Sequence, residues 1–301
     1  MKNKEGKPGR LSPGMALGLA APQTWTAALI PALLGAALAR DGAMAEPWLL
    51  LSTAAACVLM QSAANVFNDY CDFIKGGDTL ENSPDAEEAV LLYRRPEPRK
   101  ALYLGFALLL LAAAAGVPAI LRAGWPVLAV GAVGAAALLA YSFGKKPLSY
   151  LPLGELTSAF VMGGLIPLGV SGSLGGGFSP AVLLKALPVM LGVGLIMLTN
   201  NLWDIQKDRA SGRKTFTVLL GEAKSLRLYR LALLLWFALP LVVLPVKAWA
   251  VYLPGLLASG SAAAAQLRMR PGAGTRLRAM AGINSLNAML GCAYIIAVLF
   301  S

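Results

Sequence analysis

Histidine is absent from all 301 residues, cysteine occurs three times, and charged residues make up only 14%. Without histidine there can be no His-ligated metal, no Ser–His or Cys–His nucleophile and no imidazole acid–base pair. Chemistry is left to carboxylates, amides, lysine, arginine and tyrosine. Cys57, Cys71 and Cys292 are scattered without a CxxC spacing, so neither a zinc site nor a disulfide framework is expected. Acidic residues are scarce as well: 15 Asp and Glu against 26 Lys and Arg leave a net charge of +11. On a folded polar surface that charge would point to nucleic acid, but here the basic residues sit between apolar runs, so no nucleic-acid partner is expected. Apolar side chains are abundant, at 57% of the chain with a mean hydropathy of +0.65. A soluble domain carries about a quarter charged residues, so a soluble fold is excluded.

About 20 apolar residues cross a bilayer as a helix. Nine stretches qualify: Leu11–Ala39, Pro47–Asn68, Ala101–Leu121, Ala123–Gly144, Leu156–Leu184, Ala186–Trp203, Leu231–Val246, Ala248–Leu267 and Ala279–Ser301. The seventh is short between charges and is expected to begin nearer Leu226. The first is read as a retained span, being too long and too rich in Gly and Pro for a cleaved signal. With the N-terminus in the cytoplasm, 22 of the 26 Lys and Arg fall on the inner side, and only Arg40, Arg122, Lys185 and Lys247 fall on or near the outer one. The expected fold is therefore an all-α integral membrane protein of nine transmembrane helices. It forms one domain over residues 1–301 in the cytoplasmic (inner) membrane, solvated by lipid, with the loops Asp72 to Lys100 and Asp204 to Lys224 cytoplasmic.

Two places break the apolar rule. Span two ends Asn68-Asp-Tyr-Cys-Asp72 and runs into Lys75-Gly-Gly-Asp78; span six ends Asn200-Asn-Leu-Trp-Asp204 and runs on to Asp208. On a helix, residues four apart share a face, so Asn68 with Asp72, and Asn200 with Asp204 and Asp208, each form a carboxylate–amide stripe. Four spans lie between them, so both open on one face. Either stripe alone reads equally well as a solvated, capped helix end. Two together pose an electrostatic conflict that a hard divalent cation resolves, and magnesium is typically held by one or two carboxylates plus substrate phosphates. Basic clusters at Lys75, Lys145-Lys146, Lys207–Arg209 and Arg213-Lys214 read singly as topology signals, and beside the acids as donors for a diphosphate. The motifs and their basic loops also hint at pseudo-repeat halves, roughly 11–150 and 151–301. Such a site suits ionisation of an allylic prenyl diphosphate, with the cation alkylating an electron-rich ring. Tyr70, Tyr141, Phe143 and Trp203 are either faces for that cation or interfacial anchors. A transporter or channel, or a purely structural membrane subunit, are the competing classes; the nearly uncharged outward halves of the spans argue against transport.

At these residues the chain resembles the UbiA superfamily of intramembrane prenyltransferases, and within it the branch that prenylates 1,4-dihydroxy-2-naphthoate in menaquinone synthesis. The resemblance rests on Asn68 to Asp72 with Lys75 to Asp78, on Tyr141-Ser-Phe-Gly-Lys-Lys-Pro-Leu-Ser-Tyr150 leading to Glu155, and on Asn200 to Thr215. The helix-one stretch Pro22-Gln-Thr-Trp to Gly35 is similar too. Departures fall at Ala21, Trp203 and Leu219, where arginine is usual, and in the Glu- and Pro-rich segment Asn82 to Lys100. The resemblance implies a nine-helix bundle with a cytoplasm-facing polar cavity and a lateral opening for a long prenyl chain. It implies a polyprenyl diphosphate donor, an aromatic acceptor and Mg2+ as cofactor. Asn68, Asp72, Asp204 and Asp208 are then the expected catalytic residues and metal ligands; Lys75, Lys145, Arg209 and Lys214 are expected at the diphosphate; Asp69, Asp78, Asn200, Asn201 and Tyr141 are further candidates.

Overall fold

The computed structural model describes residues 9–80, 83, 89–272 and 274–301. Lys2, Lys4 and Lys7, counted above among the inner charges, and residues 81–82 and 84–88 of the loop after Asp78 lie outside the described residues. Among the described residues every regular element is a helix. The chain runs through α1 (Pro13–Ala20), a 3₁₀ turn (Pro22–Thr24), α2 (Thr26–Leu38), α3 (Arg40–Ala45), α4 (Pro47–Ile74) and α5 (Val90–Arg94). It continues through α6 (Pro98–Ala123), α7 (Trp125–Ser142), a 3₁₀ turn (Leu148–Tyr150), α8 (Gly154–Phe160), a π-helical turn (Val161–Leu165) and α9 (Ile166–Ser173). Next come α10 (Pro180–Trp203), α11 (Ile205–Ala210), α12 (Phe216–Leu220), α13 (Glu222–Val243), α14 (Val246–Ala258), α15 (Gly260–Arg268) and α16 (Arg276–Leu299).

Backbone chemistry explains this uniformity, because in lipid each N–H and C=O needs a partner within its own segment. Several spans open on proline, at Pro13, Pro47, Pro98 and Pro180, where the missing N–H would have been unpaired anyway. The hydroxyls of Ser12 and Ser179 cap two of them, accepting from the N–H of Met15 (3.3 Å) and Ala181 (3.2 Å).

Among the described residues seven helical spans are long and apolar enough to cross a membrane. Two bent pairs raise this to nine if each counts as one span: Pro13–Thr24 with Thr26–Leu38, bent by 56°, and Val246–Ala258 with Gly260–Arg268, bent by 54°. The first and eighth expected spans are thus each two helices that meet at a bend. At the first break Ala21 takes a left-handed conformation, φ 50°, which ends α1. The fifth and sixth spans also differ from expectation. Helix ends at Ser173, a glycine-rich turn covers 174–179, and α10 begins at Pro180 rather than Ala186, so Lys185 lies inside α10. Span two runs on to Ile74 and carries Asn68 and Asp72 on continuous helix, and the seventh begins as early as Glu222.

Between helices in lipid, close packing does the work that the hydrophobic effect does in water. The run α8 to α9 and helix α10 are the most enclosed spans, whereas most of α6 and α7 is unburied, part of it facing the cavity. A β-carbon at Gly163, in the π-turn, would lie 2.4 Å from Met190 Cα, so glycine there lets the two central spans touch backbone to backbone. On the other side of α10, Leu195, Leu202, Tyr229, Leu233, Trp236, Ile283 and Leu286 bury a core with α13 and α16. α10 is thereby fixed as the axis against which α4 presents its polar end.

Candidate active site

A cavity of about 710 Å³ opens among α2, α4, α6, α7, α8 to α10 and α16. Its wall changes character along its length. One end is polar: Asn68, Asp69, Asp72 and Asp78 come from α4 and the loop after it, Asn200, Asn201, Asp204, Lys207, Asp208 and Arg213 from the end of α10 onward, and Arg276 from the start of α16. The other arm is walled by small and aliphatic side chains, from Thr53 and Met60 on α4 to Ile120 on α6 and Val127 on α7. Thr53 and Asp72 are nineteen residues apart on one helix, about 28 Å at 1.5 Å per residue, so the cavity runs through most of a hydrocarbon layer.

The first stripe forms as the four-residue spacing predicts, with Asn68 Nδ2 donating to Asp72 Oδ2 at 3.3 Å. The second is kinked. α10 stops at Trp203, Asp204 is the joint, and α11 carries Asp208; the hydrogen bonds from Asp204 N to Asn200 O (3.0 Å) and from Asp208 N to Asp204 O (2.8 Å) keep the three nearly in line. Each acid meets a cation. Arg213 pairs with Asp72 and lies 3.6 Å from Asp208, Arg276 reaches Asp204 at 2.7 Å and Asn200 at 2.7 Å, and Lys207 reaches Asp78 at 2.6 Å. Thr215 Oγ1 donates to Asp208 (3.2 Å), and Asn201 Nδ2 donates to Glu155 (2.9 Å). Tyr141 lines the wall with its hydroxyl 3.3 Å from Met197 Sδ.

Burial sets the electrostatics. It pushes the Asp208 carboxyl up to about 6 against the pull of Arg213, with Asp204 adding to the rise. Burial works against the charge on Lys207, but Asp78 and Asp204 outweigh it and hold the ammonium above its ordinary range. Arg213 is likewise held charged by Asp72 and Asp208 despite its burial.

Of the expected basic clusters, only Lys207 and Arg213 line the mouth, joined by Arg276, which was not expected. Lys145, Arg209 and Lys214 point out to solvent, and Lys75 donates to Ser142 O (3.1 Å) with its ammonium 5.1 Å from the Tyr150 ring; none of the four lines the cavity. The reason is local. Gly212 at φ 74° turns the chain after α11, so that Arg213 N bonds back to Asp208 O (2.9 Å) and its guanidinium swings under the acids, while Lys214 continues outward. Arg213 then rests 5.0 Å from the Tyr150 ring, and Lys214 N bonds Tyr150 O (2.9 Å). A Ser-Gly after a short helix is a signal for such a return; Arg276 carries no signal beyond its place at the start of the last span.

The expected ligand set Asn68, Asp72, Asp204 and Asp208 is brought to one mouth but not into one cluster, and no group of three or more Cys, Asp or Glu among the described residues is placed to hold a metal ion. The donors are nevertheless hard oxygens on two facing elements. That fits magnesium carried by one or two carboxylates with phosphate oxygens completing its shell, and not an all-protein cage.

The fold is a bundle of apolar helices with a cavity that is acidic at its mouth and apolar along its length. The family is the UbiA prenyltransferase family, to which this chain belongs: its profile matches residues 28–291. A 1,4-dihydroxy-2-naphthoate octaprenyltransferase of Bacillus subtilis (strain 168) is 33% identical over 204 residues, 68% of this chain and 65%, just under two thirds, of the relative. One from Mycobacterium tuberculosis is 32% identical over 263 residues, 85% of this chain and 86% of the relative. Among solved structures, a UbiA homolog from Archaeoglobus fulgidus superposes with a TM-score of 0.62 at 13% identity, over 94% of this chain and 98% of that one. The same homolog bound to DMAPP and Mg2+ gives 0.60 at 13% identity, over 95% and 99%. The chain thus belongs to this family by sequence and shares its fold.

Proposed function

We propose that the protein transfers a polyprenyl group from its diphosphate to 1,4-dihydroxy-2-naphthoate, in menaquinone synthesis, with magnesium and at the cytoplasmic face of the cell membrane. The observation that carries this reading is the pair of acidic motifs facing each other across the mouth of one long apolar cavity, bridged by Arg213. The naphthoate acceptor is supported by the names of the Bacillus and Mycobacterium relatives, and magnesium by the metal-bound Archaeoglobus homolog.

In this reading Asn68, Asp72, Asp204 and Asp208 orient the diphosphate end, while Arg213, Arg276 and Lys207 supply its hydrogen-bond donors. Bound magnesium supplies charge neutralisation for the leaving diphosphate. The apolar arm holds the polyprenyl tail and keeps water from the allylic carbon. The allylic C–O bond breaks with its electron pair going to the diphosphate. A π electron pair of the ring forms the new C–C bond, and the bond from that carbon to its proton or carboxylate then breaks, its pair returning to the ring as H+ or CO2 leaves. Tyr141, Asn200 and Asn201 line the same cavity and are assigned to the reacting carbons. The halves 11–150 and 151–301 each contribute one motif, so the site lies between pseudo-repeats.

The test offers purified protein with Mg2+ a panel of prenyl diphosphates and aromatic acceptors, with mass detection of products. Prenylated naphthoate product at the highest rate supports the reading. Transfer only to another ring would replace the acceptor, and no transfer to any would overturn the function.

A further inference from the structure

The mouth of the cavity carries its own counter-ions. Asp72 and Asp208 belong to different motifs, yet one guanidinium, that of Arg213, pairs with both. Its side chain is 11% exposed and that of Asp208 3%, so this bridge is internal and not a surface contact. Two buried carboxylates repel each other unless a cation lies between them, and Arg213 supplies that cation here. The bridge is also incomplete: Arg213 Nε is buried with no hydrogen-bond partner, an unusual and costly state for such a donor. Arg276 and Lys207 play the same part for Asp204 and Asp78.

The lining charges disfavour a diphosphate alone, and the Arg213 bridge competes with a metal ion alone. Five carboxylates, of Asp69, Asp72, Asp78, Asp204 and Asp208, face three cations, of Lys207, Arg213 and Arg276. A free diphosphate meets an excess of negative charge. A free magnesium ion must displace Arg213 from Asp72 and Asp208 with nothing to receive the guanidinium.

We infer that Arg213 is a positioning residue that makes metal and diphosphate binding depend on each other: it holds the Asp72 and Asp208 carboxylates until metal and diphosphate arrive together, then moves to the diphosphate. The metal takes the two carboxylates, and a phosphate oxygen supplies the acceptor that Nε lacks. This rests on the proposed diphosphate reading of the site and says in what manner that site fills. Coupling between two ligands is reciprocal and typically spans about 5- to 150-fold.

Calorimetric titration of the detergent-purified protein tests it without any acceptor or turnover. MgCl2 alone should bind the wild type weakly, and saturating inorganic diphosphate should raise its apparent affinity by about 10- to 100-fold. In Arg213→Gln, MgCl2 alone should bind at least about tenfold more tightly than in the wild type, with most of the coupling gone. Adding Asp72→Asn to that variant should erase the gain, which places the ion at the freed carboxylates. If Arg213→Gln does not fold, Arg213→Lys, which keeps a charge but cannot present two guanidinium nitrogens to both carboxylates, gives the same comparison with a smaller gain. Equal affinity for MgCl2 alone in wild type and variant, with diphosphate binding intact, would overturn the inference and leave the prenyltransferase reading standing. A wild type that binds neither magnesium nor diphosphate in any combination would overturn both.

Discussion

Replacing Asp208 with asparagine should make the metal-free protein more heat-stable at pH 8 while destroying its activity. Asp208 is buried beside Arg213, and burial lifts its carboxyl from 3.8 to about 6. A shift of about two units is worth at most about 3 kcal/mol, at 1.4 kcal/mol per unit. The sign follows from linkage. Because the folded value lies above the unfolded one, the stabilisation is complete below about pH 3.8 and is lost as the pH rises to about 6; above that the ionised group costs the fold its full share. Asparagine has the same shape, keeps an acceptor for Thr215 Oγ1, and leaves Arg213 paired with Asp72. Losing the second partner of Arg213 returns part of the gain, so a net stabilisation of about 1–2 kcal/mol is expected at pH 8, shrinking as the pH falls from 6 toward 4. Thermal unfolding in detergent without metal, read at pH 8 and pH 4.5, should show the variant melting a few degrees higher at the first and little changed at the second. A variant less stable than the wild type at pH 8 would refute the assignment of Asp208 as a strained, functional carboxylate.

Other outcomes follow from the same geometry. Arg213→Ala should weaken prenyl-diphosphate binding, measured with magnesium present, by tenfold or more, on the order of one lost charge-assisted contact of about 1.5–3 kcal/mol; Lys145→Ala, on an exposed turn, should change it far less. A β-carbon at Gly131 on the cavity wall would meet nothing within 4 Å, so Gly131→Leu should fold normally and lower kcat/KM for long prenyl diphosphates more than for geranyl diphosphate, as read by product mass. Cysteine labelling on a background free of native cysteines should find positions in 72–80 and 204–224 reactive from the same side of the membrane; opposite sides would abolish the shared mouth.

The nine apolar runs were legible because about twenty residues without charge have few other uses, and the Asn68 to Asp72 stripe because helical spacing survives any packing. The bends at Trp25 and Ser259 were not, although Pro22-Gln-Thr and Ser259-Gly-Ser interrupt the apolar runs there, because each run is still long enough to pass for one helix. Nor was the π-turn of residues 161–165, which exists because Gly163 meets the backbone of Met190 on another span. At the site, the acids were found because they violate the composition of their surroundings. Among the bases, the resemblance pointed to Lys145, Arg209 and Lys214, which are exposed, while the cluster Arg213-Lys214 did not say which member turns inward and Arg276 stood in no cluster. The inward direction of Arg213 and Arg276 depends on a glycine turn in one case and on the docking of the last span in the other.

The account's central claim is that the two acidic motifs form one site, and a double-mutant cycle on turnover tests it most directly. Asp72→Asn and Asp204→Asn should each cut kcat by about a hundredfold or more in magnesium, the double variant should be little worse than the weaker single, and chelator should silence the wild type. Near-wild-type turnover in either single variant, strictly multiplicative losses in the double, or turnover indifferent to chelator would contradict it.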